Sequence, residues 1–373
     1  MYSPYKSSYM YIISVLFVAY TSVCILCIFY SKSTHTSPCT QSNTNQKLIN
    51  STHTTAYNEK FHKSPQFFKT YLHGQRCSDA QILKIAQSLP HKRSRCPDNR
   101  AWIDSLLSET KHQASATIVS VGCNKGDDFV AQMRAWSGDE TFSVVEYRAL
   151  LQKKIAHRAN RACAALHEAT VKVPKRKLSA YCIEPMLQNF QLLDASMRSL
   201  GYFQSVKLKQ TAISSVLGVG FFRNAPVGTE FFGLEQPTSN AMDLTPVNIT
   251  TIDNIVATES IISIDFLSID TEGNDLRAIL GAINSIAAQK VKYIEFEYHE
   301  VGRWKYSDLQ DLIDLLDNVQ YDCYWALDSG KLSRLTGCWH DSYYTERSWS
   351  NIACINRNLP HTHKRMQEIA GFT

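Results

Sequence analysis

The run Val119-Ser-Val-Gly-Cys-Asn-Lys-Gly-Asp-Asp128 decides the fold class. Ala116 to Val121 (ATIVSV) is apolar and β-branched, so it reads as a buried strand that ends at Gly122. Gly122 and Gly126 allow a tight turn, and a helix begins near Asp127. Strand, glycine turn and helix in that order make the first unit of an α/β fold. The N–H groups of such a turn, backed by a helix N-terminus, suit a carboxylate or phosphate. The Gly122-x-x-x-Gly126 spacing is neither the GxGxxG of dinucleotide binders nor the GxxxxGK(S/T) of phosphate-binding loops.

Further strands follow. Ser179 to Ile183 ends at Glu184-Pro185, Val206 to Ala212 ends in a Ser pair, and Ile261 to Ile269 ends at Asp270. Val291 to Glu297 ends at Tyr298-His299, and Val219 to Arg223 reads as a small added strand. Helices are expected over Ala101 to Leu107 and Leu276 to Ile286. This alternation predicts a mainly parallel sheet. Asp322 to Leu327 and Asn351 to Ile355 form an antiparallel edge, because Leu332 to Ser350 is too irregular for a crossover helix. The long connection 139–178 reads as a helical insertion, with apolar Val144, Tyr147, Leu151, Ile155 and Leu166. Its stretch 151–177 is strongly basic, with Glu168 as the only acid. That stretch either meets a sulfated or carboxylated polymer or is a solvated face.

The chain has 373 residues, 44% of them hydrophobic, which supports a sizeable core and excludes disorder throughout. A net charge of +5, from 39 Lys+Arg against 34 Asp+Glu, is too mild to point to nucleic acid, and none is expected. Residues 1–8 form a short tail. Tyr9 to Tyr30 carries no charge and, as a helix of about 33 Å, is long enough for a membrane core of about 30 Å. Its length and its exit through Ile28-Phe29-Tyr30 mark an uncleaved transmembrane anchor rather than a cleaved signal peptide. Residues 31–75 are polar and read as a flexible stem, and residues 76–373 as the folded domain, with its core at 116–300. The short tail and the sequons Asn50-Ser51-Thr52 and Asn248-Ile249-Thr250 place the C-terminal bulk in a lumen. The expectation is a single-pass type II protein of the Golgi or another secretory membrane. Nine of the 11 Cys lie beyond the anchor, without a CxxC pair. Some should then be bridged. Proximity in sequence pairs Cys77 with Cys96, and Cys338 with Cys323 or Cys354.

The strand ends hold the residues fit for chemistry. Glu184 can accept hydrogen bonds from ribose hydroxyls. Asp270 reaches the carboxyl edge of the sheet, where ligands of open α/β folds bind, and Glu272-Gly273 turns the chain into a helix. Alternation sets Glu295, Glu297 and His299 on one face, opposite Ile294, Phe296 and Tyr298. Acids so close to a buried strand need partners or an open cleft.

The series VGCNKGDD, YCIEP, TAISS, VNITTIDNIV, FLSIDTEGNDLRAILGA and IEFEYH resembles the FkbM-type family of S-adenosylmethionine-dependent methyltransferases. The resemblance covers roughly residues 116–300. It implies a Rossmann-like class I methyltransferase fold that O-methylates hydroxyls on sugars or natural products. By position, Gly122, Asn124 and Gly126 resemble the loop at the cofactor's methionine end, and Glu184 the ribose-binding acid. Ala212, Ile213 and Ser214 fall where adenine contacts arise. Asp270 and Glu272 match the Asp-x-Glu-Gly turn, and Glu297 and His299 the strand-end block. Two departures stand out: Ser120 replaces a common acid, and Ser268 a frequent Lys. Asp270 and His299 are the candidate bases. Glu272 and Glu297 orient the substrate; a divalent ion on them is the alternative, and no metal is expected. The expected function is a membrane-anchored O-methyltransferase acting on a glycan or glycoconjugate. Its rivals are a Golgi-type glycosyltransferase, for which no convincing Asp-x-Asp motif is present, and a catalytically silent glycan-binding relative.

Overall fold

The computed structural model describes residues 76–88, 100–155, 170–229, 232–235, 244–327 and 329–372. The expected anchor Tyr9–Tyr30, the stem, the Asn50 sequon, Cys96 and residues 156–169 of the long connection, Leu166 among them, lie outside the described residues. Among the described residues, no helix is long and apolar enough to cross a membrane.

Among the described residues, eleven strands run in chain order: β1 Ser115–Val121, β2 Lys177–Ile183, β3 Val206–Lys209, β4 Ala212–Ile213, β5 Gly218–Arg223, β6 Leu244–Thr250, β7 Phe266–Ile269, β8 Tyr293–Tyr298, β9 Tyr321–Ala326, β10 Leu332–Arg334 and β11 Ser350–Asn356. Eight form the main sheet, in the order β10-β9-β11-β8-β7-β1-β2-β3. From β3 to β8 every neighbouring pair is parallel. β11 enters antiparallel between β8 and β9, and β10 closes that edge antiparallel. The chain runs outward from β1 to β3 and then returns to the other side of β1 at β7. That reversal creates the crevice in which open α/β sheets bind ligands. The expected α/β class, with a mainly parallel sheet and an antiparallel edge, describes this architecture.

The helices are α1 Asp79–Ser88, α2 Ala101–Thr110, α3 Asp127–Ser137, α4 Val144–Lys154, α5 Leu187–Ser199, α6 Ile252–Thr258, α7 Asp275–Leu280, α8 Ile283–Ala287, α9 Leu309–Asn318 and α10 Pro360–Ile369. Buried residues recur at helical spacing, as in Phe129, Val130, Met133 and Trp136 of α3 or Leu309, Leu312, Ile313 and Leu316 of α9. These stripes cover opposite faces of the sheet. Trp102, Phe129 and Trp136 pack with Ile118, Phe266 and Tyr293, whereas Ile255, Ile279 and Leu312 pack with Val119, Leu267 and Ile294. Each large side chain so buried contributes on the order of 1.5–3 kcal/mol.

Several boundaries differ from the expected ones. Val206–Ala212 is not one strand: β3 stays in the main sheet, while β4 joins β6 and β5 in a small second sheet ordered β4-β6-β5. Thr211 Oγ1 donates to the Asn248 carbonyl at 2.7 Å and draws the chain across. The strand expected from Ile261 begins only at Phe266, after Ser260 takes a left-handed φ of 54°. The helix expected over Leu276–Ile286 breaks into α7 and α8 around Gly281-Ala282. A Cβ on Gly281 would lie 2.2 Å from the Ser214 carbonyl oxygen. β6 and β10 were not expected.

Cysteine pairing also differs. Cys77 bonds Cys338, across 261 residues, and the Cys77 N–H donates to the Gly337 carbonyl at 2.9 Å. Cys323 and Cys354 face each other in register on β9 and β11 and bond there. Cys123 bonds Cys182. Sequence proximity misleads because the sheet brings distant segments together.

Candidate functional site

Register sets the site. Val121 is level with Ile183 on β2 and with Ile269 on β7, and Ile269 is level with Phe296 on β8. The next residue on each strand therefore falls in one row along the carboxyl edge: Glu184, Gly122, Asp270 and Glu297. The Gly122 and Cys123 N–H groups donate to the Ile183 carbonyl at 2.9 and 3.2 Å, and the Asp270 N–H donates to the Val121 carbonyl at 2.9 Å.

The glycine loop needs its glycines. Gly122 has φ 86°, and a Cβ there would lie 1.7 Å from the Asp270 carbonyl oxygen. Gly126, at φ 87°, caps α3, and a Cβ would lie 2.6 Å from the Tyr147 hydroxyl. Between them Asn124 takes φ 48°, and its N–H donates to Glu184 Oε2 at 2.8 Å. The Met186 N–H donates to Glu184 Oε1 at 2.9 Å. Asn124 Nδ2 donates to the Thr229 carbonyl at 3.1 Å, and the Gly228 N–H to Asn189 Oδ1 at 2.7 Å. The loop, the end of β2, α5 and the 225–229 segment are thus braced on one another. Glu184 is only 4% exposed. Burial pushes its carboxyl up to about 7; the two N–H bonds oppose that shift and the Asp270 charge adds to it.

The turn after β7 is built around Asp275, which is fully buried. Its carboxylate accepts from the Thr271 N–H at 3.3 Å and the Gly273 N–H at 3.1 Å. Asn274 Nδ2 donates to the Ile213 carbonyl at 2.8 Å. Glu272 and Gly273 take φ 51° and 93°, and a Cβ on Gly273 would lie 2.3 Å from the Val301 carbonyl oxygen. The loop after β8 therefore presses directly on this turn.

Asp270 is exposed to solvent at the carboxyl edge of the sheet, with protein packed close around its carboxyl. Burial raises the Asp270 carboxyl, and neighbouring negative charge raises it further. Burial and the charges of Asp270 and Asp275 push Glu272 up to about 8. Burial and Asp270 push Asp275 up to about 7. Burial and the same acids hold Glu297 well above the usual carboxylate range. Asp270 and Glu297 stand side by side and titrate as a pair, both raised above the usual carboxylate range. Among the described residues, no Lys or Arg forms an ion pair with Asp270, Glu272, Asp275 or Glu297, and the nearest basic group to Glu297 is His299.

On β8 the alternation holds: Tyr293 faces one core, and Ile294, Phe296 and Tyr298 the other. Glu295 is committed to structure. Arg100 Nη1 lies 3.0 Å from its Oε1, and the Tyr293 hydroxyl donates to Oε2 at 2.8 Å. His299 is buried; its Nδ1 accepts from the Val301 N–H at 3.1 Å, and its Nε2 lies 3.8 Å from Glu297 Oε2. Burial lowers the imidazole's pKa. With the Nδ1 lone pair engaged, the neutral ring carries its proton on Nε2. His299 therefore presents a donor, not a free base.

The structure brings together Gly122, Asn124, Gly126, Glu184, Asp270, Glu272, Glu297 and His299. Ala212, Ile213 and Ser214 stand beside the row, buried in or next to β4, with the Ser214 N–H bonded to the Thr250 carbonyl at 3.0 Å.

Residues 120–323, more than half of the chain, match the methyltransferase FkbM domain. The chain belongs to the FkbM methyltransferase family. No curated protein matches it. Solved structures are similar to it, two of them as follows. The methyltransferase FkbM of Methylobacillus flagellatus KT is 13% identical, with a TM-score of 0.33 over 74% of this chain and 58% of its own. A Klebsiella pneumoniae protein described as a candidate O-methyltransferase is 10% identical, with a TM-score of 0.26 over 82% of this chain and 96% of its own.

Four residues of the chain escaped sequence reading. Asn189 is a buried amide inside α5, a position that itself signals a polar partner. Asp275 stood next to a recognised turn. Asp128, whose carboxyl burial raises against the Arg100 charge, was read only as the last residue of the strand-turn-helix run. Arg100 gave no signal, because Glu295 lies far along the chain.

Proposed function

We propose that this FkbM domain is an S-adenosylmethionine-dependent O-methyltransferase acting on hydroxyls of a glycan or glycoconjugate, with its domain luminal and anchored through Tyr9–Tyr30. The observation that carries the reading is the carboxylate cluster at the switch point: Asp270 and Glu297 on the row, with Glu272 and Asp275 in the turn beside it, and no described Lys or Arg in an ion pair with any of them. A cofactor with a sulfonium and an ammonium group fits that charge. When bound it supplies a methyl group on a positively charged sulfur. Glu184 would hold the ribose hydroxyls with the lone pairs left by the Asn124 and Met186 N–H groups. Gly122, Asn124 and Gly126 would line the methionine end, and Ala212 to Ser214 the adenine side.

The remaining chemistry belongs to this chain. A sugar hydroxyl is a very weak acid, so a base near neutral pKa assists its attack. Asp270 takes that role: it is open to the cleft, and its carboxyl is raised by burial. Glu297, beside it on the row, steadies Asp270, while Glu272 orients the acceptor. His299 Nε2–H, with no acceptor among the described residues within hydrogen-bond reach, donates to the acceptor oxygen. Holding acceptor and methyl in line, about 3–3.5 Å apart, supplies much of the rate.

The disulfides among the described residues support an oxidising compartment, and Asn248 of the second sequon is exposed on β6. The test is labelled-methyl transfer from S-adenosylmethionine to a glycan extract, followed by linkage analysis. An O-methyl sugar that disappears with Asp270→Asn is expected. Cofactor binding without transfer to any glycan pool would favour a silent glycan-binding relative.

A further inference from the structure

The Asp-x-Glu-Gly turn separates charge. Asp270 stands on the row, Glu272 and Asp275 lie in the turn, and two arginines flank the turn beyond them. Arg277 lies on α7, one helical turn past Gly273, and Arg303 lies in the short 3₁₀ segment Gly302–Tyr306. The Arg303 N–H donates to the Gly273 carbonyl at 2.9 Å, and a Cβ on Gly302 would lie 2.9 Å from the Glu272 carbonyl oxygen. The two segments are packed backbone to backbone.

Both arginines are half-buried. Neither side chain has a hydrogen bond or ion pair among the described residues. Other withdrawn arginines are all engaged: Arg100 by Glu295, Arg334 by Asp322, Arg357 by Asp317 and Asp322, and Arg176 by the Trp136 and Thr110 carbonyls. Burial and the Arg303 charge both act against the charge on Arg277. Two like charges partly removed from water, with no counter-charge, cost free energy that a bound anion would offset. The planar guanidinium fork matches sulfate, phosphate and carboxylate oxygens.

We propose that Arg277 and Arg303 together bind an oxyanion group carried by the acceptor, a sulfate ester, phosphate ester or carboxylate on the glycan. This rests on the methyltransferase reading above. Asp270 and Arg277 belong to one strand-turn-helix unit, so an anion anchored there fixes the acceptor relative to the base.

The probes are inorganic sulfate and inorganic phosphate, titrated calorimetrically at constant ionic strength into the full chain in detergent. S-adenosylmethionine is titrated in parallel. Saturable sulfate or phosphate binding is expected in the wild type. The double variant Arg277→Gln/Arg303→Gln should weaken it at least tenfold, and Arg277→Lys/Arg303→Lys should retain part of it. S-adenosylmethionine affinity should stay within twofold in all three. Equal anion affinity in the wild type and the double Gln variant, or no saturable anion binding, overturns the proposal. Absence of S-adenosylmethionine binding in the wild type overturns the cofactor reading instead and leaves the anion titration readable. In a second arm, methyl transfer into a glycan extract split by anion exchange should label the anionic fraction. Sulfatase, phosphatase or carboxyl reduction then identifies the group. Label confined to the neutral fraction contradicts the proposal.

Discussion

The Asn124 backbone N–H donates to Glu184 Oε2 at 2.8 Å, joining the glycine loop after β1 to the end of β2. The bond fixes the loop that the cofactor must meet and the acid that must hold its ribose in a single geometry. Glu184 is buried, so the arrangement has little water to fall back on.

Replacing Glu184 with Gln removes one of its two acceptor oxygens and leaves either the Asn124 or the Met186 N–H unpaired in the interior. An unsatisfied buried donor costs about 1–3 kcal/mol. Urea unfolding of the full chain should show a loss of that size.

Gly122→Ala should cost more. The position needs a left-handed backbone, and the added Cβ would meet the Asp270 carbonyl oxygen at 1.7 Å. Strain of about 1–3 kcal/mol from the backbone alone is compounded by the displacement of Asp270. Thermal unfolding checks this, and Gly201→Ala is the control: its φ is 73°, but it has open space around it. Equal losses at the two positions would mean that the close approach to Asp270 does not matter.

The sequence was legible where one element made its own argument. The strand-turn-helix at 119–128, the strand ends at Glu184 and Asp270, and the alternation of β8 depend on local pattern, and the structure places them as the pattern requires. The features that were not legible are set by distant partners. Thr211 leaves the main sheet because of Asn248, Gly281 breaks a helix because Ser214 lies against it, and Cys77 finds Cys338 because the chain folds back. His299 could be placed from its strand, but its tautomer depends on the Val301 N–H, which no spacing reveals.

Stability should fall as pH rises through the neutral range. Burial and mutual repulsion raise Glu184 to about 7, Asp275 to about 7 and Glu272 to about 8. Between their ordinary values and these raised ones, the folded chain holds protons that the unfolded chain has released. The contribution is present at low pH and lost as pH rises through about 7 to 8. His299, lowered by burial, opposes this in part of the window, as one group against three. The ligand-free chain should melt at a higher temperature near pH 6 than near pH 8. The difference should narrow with Glu272→Gln, and a melting point that climbs over that interval would contradict the charge assignment.

The roles of Asp270 and His299 separate by pH profile. Asp270→Asn should remove most transfer at every pH. His299→Gln, which keeps a donor near the Nε2 position, should retain a substantial part of it and the same acidic limb. Nitrogen NMR of the labelled ring should report a proton on Nε2. A proton on Nδ1, or an acidic limb that vanishes with His299→Gln, would return the base role to the imidazole.

The central claim is tested most directly by titrating S-adenosylmethionine into the full-length chain in two buffers of different ionisation enthalpy, near pH 7.5, where a bound cation would favour ionised Glu272 and Asp275. Saturable binding with proton release, weakened at least tenfold by Glu184→Ala, is the predicted result. No binding, or binding indifferent to Glu184 and without proton release, would contradict the account.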